Sequence, residues 1–271
     1  MQPTTTNPSR SFTAEAAAHT VIKRVPHIIL TYWVIKIAST TLGETGADMF
    51  SMTYNLGYGV TIMIFLGLFL ALLAFKLSQK TYNAATYWAV FTATAIVGTA
   101  ISDFIDRTLG LGYAAGAGIL LSLLLLTLWG WYQKEGSLSV EHIYTRDAEA
   151  FYWVAFLVAN TLGTAAGDFM ADSLGIGFMQ SALIIGGVLI LTAFAHYYTK
   201  LSSILLFWVA FVLTRPFGAT FGDLLTKTHD KGGLDLGTVG ASAFFAVMMV
   251  VALIWEGQRE KKLTAEEMAE A

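Results

Sequence analysis

Residues 32–48 read YWVIKIASTTLGETGAD, and the same pattern returns three more times along the chain. The copies are YWAVFTATAIVGTAISD at 87–103, YWVAFLVANTLGTAAGD at 152–168 and FWVAFVLTRPFGATFGD at 207–223. Each copy has tryptophan in second place, glycine five residues before the end, and aspartate last. A fixed period of this kind is the signature of a repeat architecture, so the chain uses one unit four times.

The composition indicates an all-α integral membrane protein. Only 13% of the residues are charged and 55% are hydrophobic, whereas soluble domains carry roughly 25% charged residues. Each repeat holds two apolar runs, and a helix needs about 20 such residues to cross a bilayer. The eight predicted transmembrane helices cover residues 28–48, 57–75, 86–105, 112–132, 151–170, 176–197, 203–224 and 237–256.

The repeats divide a membrane domain at residues 27–256, which lies between polar tails at 1–26 and 257–271. The predicted repeats cover residues of about 27–80, 81–135, 146–200 and 201–256. Because each repeat contains an even number of spans, all four enter the membrane in the same orientation. The sequence therefore predicts a pseudo-fourfold or two-by-two arrangement about the membrane normal.

Basic residues decide the predicted orientation. Lysine and arginine are concentrated in the tails and between repeats, and they are scarce in the turns inside repeats. The positive-inside rule then places both termini in the cytoplasm. The tryptophan that begins each repeat would lie near the cytoplasmic interface, where amphipathic rings are enriched.

A small residue follows each repeated glycine by four positions. Small residues at this spacing allow membrane helices to approach closely. This pattern predicts that the first helices of the repeats pack on one another through Gly43, Gly98, Gly163 and Gly218.

The repeated aspartates permit two interpretations. An aspartate at the end of a span often caps the turn into the next helix, and a carboxylate there costs little. Alternatively, four repeat-related carboxylates meet near a central axis and attract cations. The two interpretations remain open for Asp48, Asp103, Asp168 and Asp223, and different copies can have different roles.

Repeat 1 differs from the other copies by a polar stripe. Lys36, Thr40, Glu44 and Asp48 follow one another at intervals of four residues, so they share one face of an apolar helix. An ionisable group inside a membrane costs about 2.5–3.5 kcal/mol on insertion scales. We therefore expect Lys36 and Glu44 to face the protein interior.

Repeat 4 differs by an arginine at membrane depth. Arg215 stands eight residues before the aspartate, at the level of Thr40 and Asn160, and Pro216 follows it. Proline removes one helical hydrogen bond and tends to kink the helix, which frees carbonyl groups for a ligand. We expect Arg215 to face the interior.

Two roles are open for these ionisable groups. One is a structural ion pair, of Lys36 or of Arg215 with Glu44. The other is a pathway for a substrate or for protons, since an apolar pair would serve packing without the cost of burying charge.

The four units resemble the bacterial membrane-protein family that is built from four tandem copies of a repeat of unknown function. The resemblance rests on the tryptophan near the start of each unit and on the G-x-x-x-x-D that ends its first helix. It covers residues 27–256. It implies a location in the bacterial inner membrane and supplies no activity.

The leading hypothesis is a transporter that moves a cation through a central polar site. The first helices of the repeats carry five carboxylates against two cations. A confined excess of carboxylates suits a hard metal ion such as Mn²⁺ or Mg²⁺, and the same groups could exchange protons for it. The predicted metal ligands are Glu44, Asp48 and Asp168. The predicted site also includes Asp103, Asp223, Lys36, Arg215, Thr40, Thr99, Asn160 and Thr164.

Other functions remain as alternatives. Arg215 and Lys36 could bind an anionic metabolite, or the protein could be a membrane sensor or assembly factor whose buried ion pairs are structural. The sequence contains no nucleophile motif, phosphate loop or cofactor fingerprint, so we predict neither enzyme activity nor a cofactor. The expected partners are the lipid bilayer and a small ion or solute, not nucleic acid, and a homo-oligomer stays open.

Overall fold

The computed structural model describes residues 26, 28–79, 82–140, 143 and 145–270. All of the predicted N-terminal tail except Pro26 lies outside these described residues. The predicted C-terminal tail is described as helical backbone up to Glu270.

Within the described residues the chain forms eight long α-helices, two from each repeat. In chain order they are α1 (Leu30–Asp48), α2 (Gly57–Ser78), α3 (Ala84–Asp103), α4 (Tyr113–Glu135), α5 (Arg146–Asp168), α6 (Phe178–Tyr198), α7 (Ser203–Thr226) and α8 (Thr238–Glu270). Each predicted span overlaps one of these helices.

Helices α5 and α8 extend furthest beyond the predicted spans. Helix α5 begins at Arg146 because the Thr145 hydroxyl accepts a hydrogen bond from the backbone amide of Ala148, as an N-cap residue does. Helix α8 continues to Glu270 because its polar end is rich in lysine, glutamate and alanine, which favour helices.

Seven of the eight described helices are long and apolar enough to cross a membrane. The exception is α1, whose Lys36, Glu44 and run of three hydroxyl residues at 39–41 lower its mean hydropathy. These side chains are buried against neighbouring helices. The interior position of α1 therefore explains how the structure accommodates its polar stripe.

The first helix of each repeat is the inner one. In the most apolar stretch of 18 residues of each helix, the share of buried residues is 72% in α3, 72% in α5 and 50% in α7. The corresponding share is only 22% to 28% in α2, α4, α6 and α8. The inner helices form a closed ring, in which α1 packs on α3, α3 on α5, α5 on α7, and α7 on α1. Each outer helix packs on the inner helix of the following repeat: α2 on α3, α4 on α5, α6 on α7, and α8 on α1.

The repeated glycines lie where neighbouring inner helices meet. A Cβ atom added to any of them would come within 3.1 Å of the residue that stands eight positions before the next repeat's aspartate. No side chain fits at this spacing, so glycine sets the distance between the helices. The contacts pair Gly43 with Ala95, Gly98 with Asn160, Gly163 with Arg215, and Gly218 with Thr40.

The turn after each aspartate also follows a repeated design. A five-residue π-helical turn continues the first three inner helices, at Met49–Thr53, Phe104–Thr108 and Phe169–Ser173. A left-handed glycine then precedes or begins the outer helix, with φ of +73° at Gly112 and +83° at Gly177. A side chain would be strained in this conformation.

Aromatic residues fill the opposite end of the inner bundle. Protein covers the tryptophans at this end, since Trp88 and Trp153 are fully buried and Trp208 is only 7% exposed. The outer helices and neighbouring aromatic rings cover them: the ring centres of Trp88 and Phe91, for example, lie 5.4 Å apart. We call this end of the bundle the tryptophan end and the other the aspartate end.

Candidate functional site

Four residues, one from each inner helix, stand four positions before the aspartates. They form what we call the central layer: Glu44, Thr99, Thr164 and Ala219, all buried. The Glu44 Oε2 atom lies 3.3 Å from the Thr99 hydroxyl and 3.4 Å from the Thr164 hydroxyl, and the two hydroxyls are 3.4 Å apart. Three repeats therefore bring their polar side chains to one point.

The guanidinium of Arg215 completes the central layer, where repeat 4 itself supplies only an alanine. Its Nη2 atom donates to Glu44 Oε2 at 2.9 Å, to the Thr164 hydroxyl at 2.6 Å and to the Thr99 hydroxyl. Both partners of the ion pair are almost fully buried, with side chains 1% and 3% exposed. A buried pair of this kind is costly to break, since the remaining charge would have no partner.

Lys36 does not pair with Glu44. Its ammonium donates to the backbone carbonyl of Phe211 at 2.9 Å and to the hydroxyl of Thr214. It also lies 4.0 Å from the ring centre of Phe211 and 5.4 Å from that of Phe91, within cation–π range. Among the described residues no carboxylate lies within 4.0 Å of this ammonium.

Two of the predicted polar residues form helix contacts away from the central layer. The amide of Asn160 donates to the Thr94 hydroxyl at 2.8 Å. The Thr40 hydroxyl bonds to the carbonyl of Ile37 in its own helix and lies 3.3 Å from that of Thr214. Both residues also contact the repeated glycines, so they pack neighbouring inner helices against each other.

The four repeated aspartates are joined in pairs by two basic residues. Lys227 binds Asp48 at 2.6 Å and Asp223 at 3.1 Å. Arg107 binds Asp168 at 3.2 Å and Asp103 at 3.6 Å in the same manner. We call the four carboxylates the aspartate ring. In each case the basic side chain connects the aspartate of its own repeat to that of the next.

Sequence reasoning missed Arg107 and Lys227 because they lie in turns, where basic residues are usually solvated. The available signal was their spacing, since each follows an aspartate by four residues. Lys227 lies just beyond α7. Burial alone would lower its pKa, but the carboxylates of Asp223 and Asp48 outweigh that effect and raise the pKa well above its ordinary value. The side chain therefore stays charged.

Three carboxylates approach one another closely enough to hold a metal ion together. Oxygen atoms of Glu44, Asp48 and Asp223 all lie within 4.8 Å of one another, and all three residues are buried. We call them the three-carboxylate group. The predicted ligand Asp168 is absent from it because α5 lies across the ring from α1, whereas α7, which carries Asp223, is adjacent.

The family comparison agrees with the division into four units. A family model described as Repeat of Unknown Function (DUF347) matches residues 31–82, 86–137, 151–202 and 206–261. The chain belongs to this family. Each DUF347 match covers most of one inner helix and most or all of the outer helix that follows it. No curated protein and no solved structure matches the chain.

The charges of this DUF347 bundle are unevenly divided. From the central layer to the aspartate ring there are five carboxylates, those of Glu44 and the four aspartates. Three cations face them: Arg215, Arg107 and Lys227. Five negative against three positive charges leave a formal excess of two negative charges. The sequence-based count gave an excess of three, because it included Lys36 and omitted the two basic residues of the turns.

Access to this DUF347 site differs between the two ends. At the aspartate end the side chain of Arg107 is 31% exposed and that of Lys227 is 17% exposed. At the tryptophan end, Tyr32, Tyr87 and Tyr152 are at most 1% exposed. The carboxylates are therefore approached from the aspartate end.

Proposed function

We propose that this protein is a membrane transporter that moves a small cation along the axis of its four inner helices. The observation that carries this proposal is the three-carboxylate group, which lies beside the axis in a region with an excess of two negative charges. Structural ion pairs alone would be served by equal numbers of opposite charges. A bound divalent cation would lower this excess.

Carboxylate and hydroxyl oxygens are the ligands that hard cations prefer. Glu44, Asp48 and Asp223 would supply the charged ligands, with Thr99 and Thr164 near Glu44 as neutral ones. The substrate class that fits best is a divalent metal ion such as Mn²⁺ or Mg²⁺. The substrate would enter from the aspartate end.

Lys227 and Arg215 would hold the carboxylates while the cation is absent. Lys227 lies between Asp48 and Asp223, and Arg215 bonds to Glu44. An arriving cation would displace the ammonium of Lys227, which is long, partly exposed and able to swing toward water. Binding would thus replace the single positive charge of the ammonium with the double charge of the metal ion.

We further propose that the protein lies in a bacterial inner membrane, with the tryptophan end and both termini toward the cytoplasm. The distribution of basic residues supports this orientation. The large apolar side chains exposed on the outer helices, such as Met63, Leu126 and Val251, support contact with lipid. The cyclic packing of the inner helices supports a pseudo-fourfold arrangement about the membrane normal.

The test of transport uses purified protein in liposomes that contain a dye quenched by Mn²⁺. We expect Glu44→Gln and Asp223→Asn to lower Mn²⁺ uptake at least tenfold, because each removes a charged ligand. Asp172→Asn is the matched control, since Asp172 is an exposed carboxylate at the same end of the molecule. Uptake by Glu44→Gln at the wild-type rate would contradict the proposal.

The ion pair of Glu44 with Arg215 gives a second arm to this test. If its role is structural only, Glu44→Gln should lower thermal stability, and the double variant Glu44→Gln with Arg215→Gln should recover it. If Glu44 binds the substrate, the double variant should recover stability and remain inactive. Full activity in a stable double variant would refute the role of Glu44.

A second candidate is a transporter of an anionic metabolite. The observation that favours it is the buried ammonium of Lys36, which has no carboxylate partner among the described residues. An anion transporter would exchange a labelled dicarboxylate or inorganic phosphate across liposomes in the absence of Mn²⁺. Loss of that exchange in Lys36→Gln would favour this candidate over the cation transporter.

A further inference from the structure

Lys36 lies on the axis between the cation site and the tryptophan end. It stands eight residues before Glu44, which places it about 12 Å along the helix. At its level the other three repeats supply Phe91, Phe156 and Phe211. The ring centres of Phe156 and Phe211 are 4.1 Å apart, and those of Phe91 and Phe156 are 5.3 Å apart.

This layer closes the axis in two ways. Three phenyl rings and the stem of one lysine fill the space, and all four side chains are fully buried. The ammonium of Lys36 also repels any cation that comes from the three-carboxylate group. A transported cation must therefore pass a barrier that is both steric and electrostatic.

The chemistry of lysine allows the electrostatic part of this barrier to be removed. A buried lysine can lose its proton and become a neutral amine, whereas an arginine stays charged in proteins. The groups that bind the Lys36 ammonium are a carbonyl, a hydroxyl and two ring faces, none of which carries a full negative charge. Burial in such surroundings favours the neutral amine.

The charged and titratable groups that flank Lys36 on the inner helices reinforce this tendency. Arg215 adds like charge on the side of the central layer, and the nearest carboxylate in that direction, Glu44, is already paired with it. On the other side, one turn nearer the tryptophan end, three repeats supply neutral phenols and the fourth supplies Phe207. The flanking groups are Glu44 and Tyr32 on α1, Tyr87 on α3, Tyr152 on α5, and Arg215 on α7.

We propose that Lys36 is the proton carrier that exchanges protons for the transported cation, an inference that rests on the proposed cation transport. When a cation occupies the three-carboxylate group, an N–H bond of the Lys36 ammonium breaks. The proton leaves past Glu44 and the aspartate ring to water at the aspartate end. The cation then crosses the layer of the neutral amine as the three phenyl rings move aside, and it departs at the tryptophan end.

Reprotonation completes the cycle. Water at the tryptophan end returns a proton to the Lys36 amine, and the restored ammonium blocks return of the cation. Each cycle moves one cation toward the tryptophan end and one proton toward the aspartate end. The protein would therefore use a proton gradient to drive the metal, or the reverse.

The experiment measures Mn²⁺ and proton fluxes together, in liposomes that contain the full-length protein and a pH-sensitive dye. Wild-type protein should move protons against the direction of Mn²⁺. Lys36→Gln removes the carrier, so the proton flux should fall at least tenfold while Mn²⁺ still moves down its gradient. Lys36→Arg keeps a permanent charge, so Mn²⁺ flux itself should fall at least tenfold. Lys134→Gln, an exposed lysine outside the inner bundle, should behave as wild type.

The possible outcomes separate the two proposals. If the wild-type protein moves no Mn²⁺, the proposed function is overturned. If the wild-type protein moves Mn²⁺ without protons, or Lys36→Gln keeps the wild-type proton flux, transport stands and the role of Lys36 is overturned.

A second measurement decides the case in which Lys36→Gln does not fold. Mn²⁺ is added to detergent-purified protein in weak buffer, and the released protons are counted. Wild-type protein should release roughly one proton more than Lys36→Arg, because binding and proton loss are linked. Equal release by the two proteins would overturn the inference.

Discussion

The two halves of the inner bundle contain the same four helices and differ in what those helices bring to the axis. From the central layer to the aspartate ring, the axis carries five carboxylates and three cations, some of them partly exposed. From Lys36 to the tryptophan end, phenylalanine, tyrosine and tryptophan rings fill the interior, most of them fully buried. The aspartate half is built for charge and access, and the tryptophan half is built for closure.

The difference shows how a repeat protein can make a site. Residues present in all four copies, such as the glycines and the first aromatic pair, shape the bundle. Residues present in a single copy, above all Lys36, Glu44 and Arg215, supply its chemistry. Substitutions in the two halves should therefore have different kinds of effect.

The largest effect is expected at the buried ion pair of the aspartate half. Arg215→Gln leaves Glu44 without its cation and should lower stability by about 3–5 kcal/mol. The melting temperature of the purified protein measures this loss. Lys134→Gln breaks a pair that is more than half exposed, and it should cost at most about 1 kcal/mol. Equal losses would mean that the aspartate half is as solvated as the surface.

The next effect concerns the distance between inner helices. A Cβ added at Gly98 would lie 3.0 Å from the backbone nitrogen of Thr161, so Gly98→Ala should destabilise the protein by about 1–3 kcal/mol. The control is Gly118→Ala on the outer helix α4, where no atom lies within 4 Å of the added carbon. Thermal unfolding of both variants compares the two helices. Similar stability of the two variants would show that the ring is loosely packed.

A smaller effect separates the two basic residues of the aspartate ring. Lys227→Gln removes the ammonium that would compete with a metal ion at the proposed site, so Mn²⁺ affinity should rise roughly tenfold, which is about 1.4 kcal/mol. Arg107→Gln removes the cation that pairs with Asp103 and Asp168. Because these two carboxylates lie outside the three-carboxylate group, this change should alter the Mn²⁺ affinity less. Calorimetric titration of both variants with Mn²⁺ gives the comparison. A greater rise in Mn²⁺ affinity for Arg107→Gln would indicate that the cation binds at Asp103 and Asp168 instead.

The smallest effects are expected in the tryptophan half. The hydroxyls of Tyr87 and Tyr152 form a hydrogen bond of 2.6 Å, so Tyr87→Phe should cost about 1 kcal/mol. The Tyr32 hydroxyl forms no hydrogen bond of normal geometry among the described residues, so Tyr32→Phe should cost less. Neither change should alter Mn²⁺ uptake. A large loss of transport in either variant would show that this half does more than close the axis.

Helices, repeats and small-residue positions could be predicted because they depend on local pattern. Periodic apolar runs define helices, and glycine at a fixed position in each copy marks a close contact. The burial of Glu44 and Arg215 also followed from the cost of charge in lipid. These inferences need no knowledge of which helix lies beside which.

The composition of the site could not be predicted, because it depends on the order of helices around the ring. That order puts Asp223 beside Asp48 and moves Asp168 to the other pair. It also brings Arg107 and Lys227 back from turns onto the carboxylates of the following repeats. The burial of Trp88 and Trp153 was missed for a related reason, since single-helix patterns do not show that outer helices cover the inner ones.

The packing of each outer helix on the next repeat makes the chain an interlocked circle. Among the described residues, the two helices of one repeat are not a packing pair: α2 lies on α3, and α8 returns to α1. The repeat seen in the sequence is therefore not the packing unit of the structure. The packing unit consists of the second helix of one repeat and the first helix of the next. A single excised repeat would lack both of its packing partners, so this bundle should unfold as a whole rather than one repeat at a time.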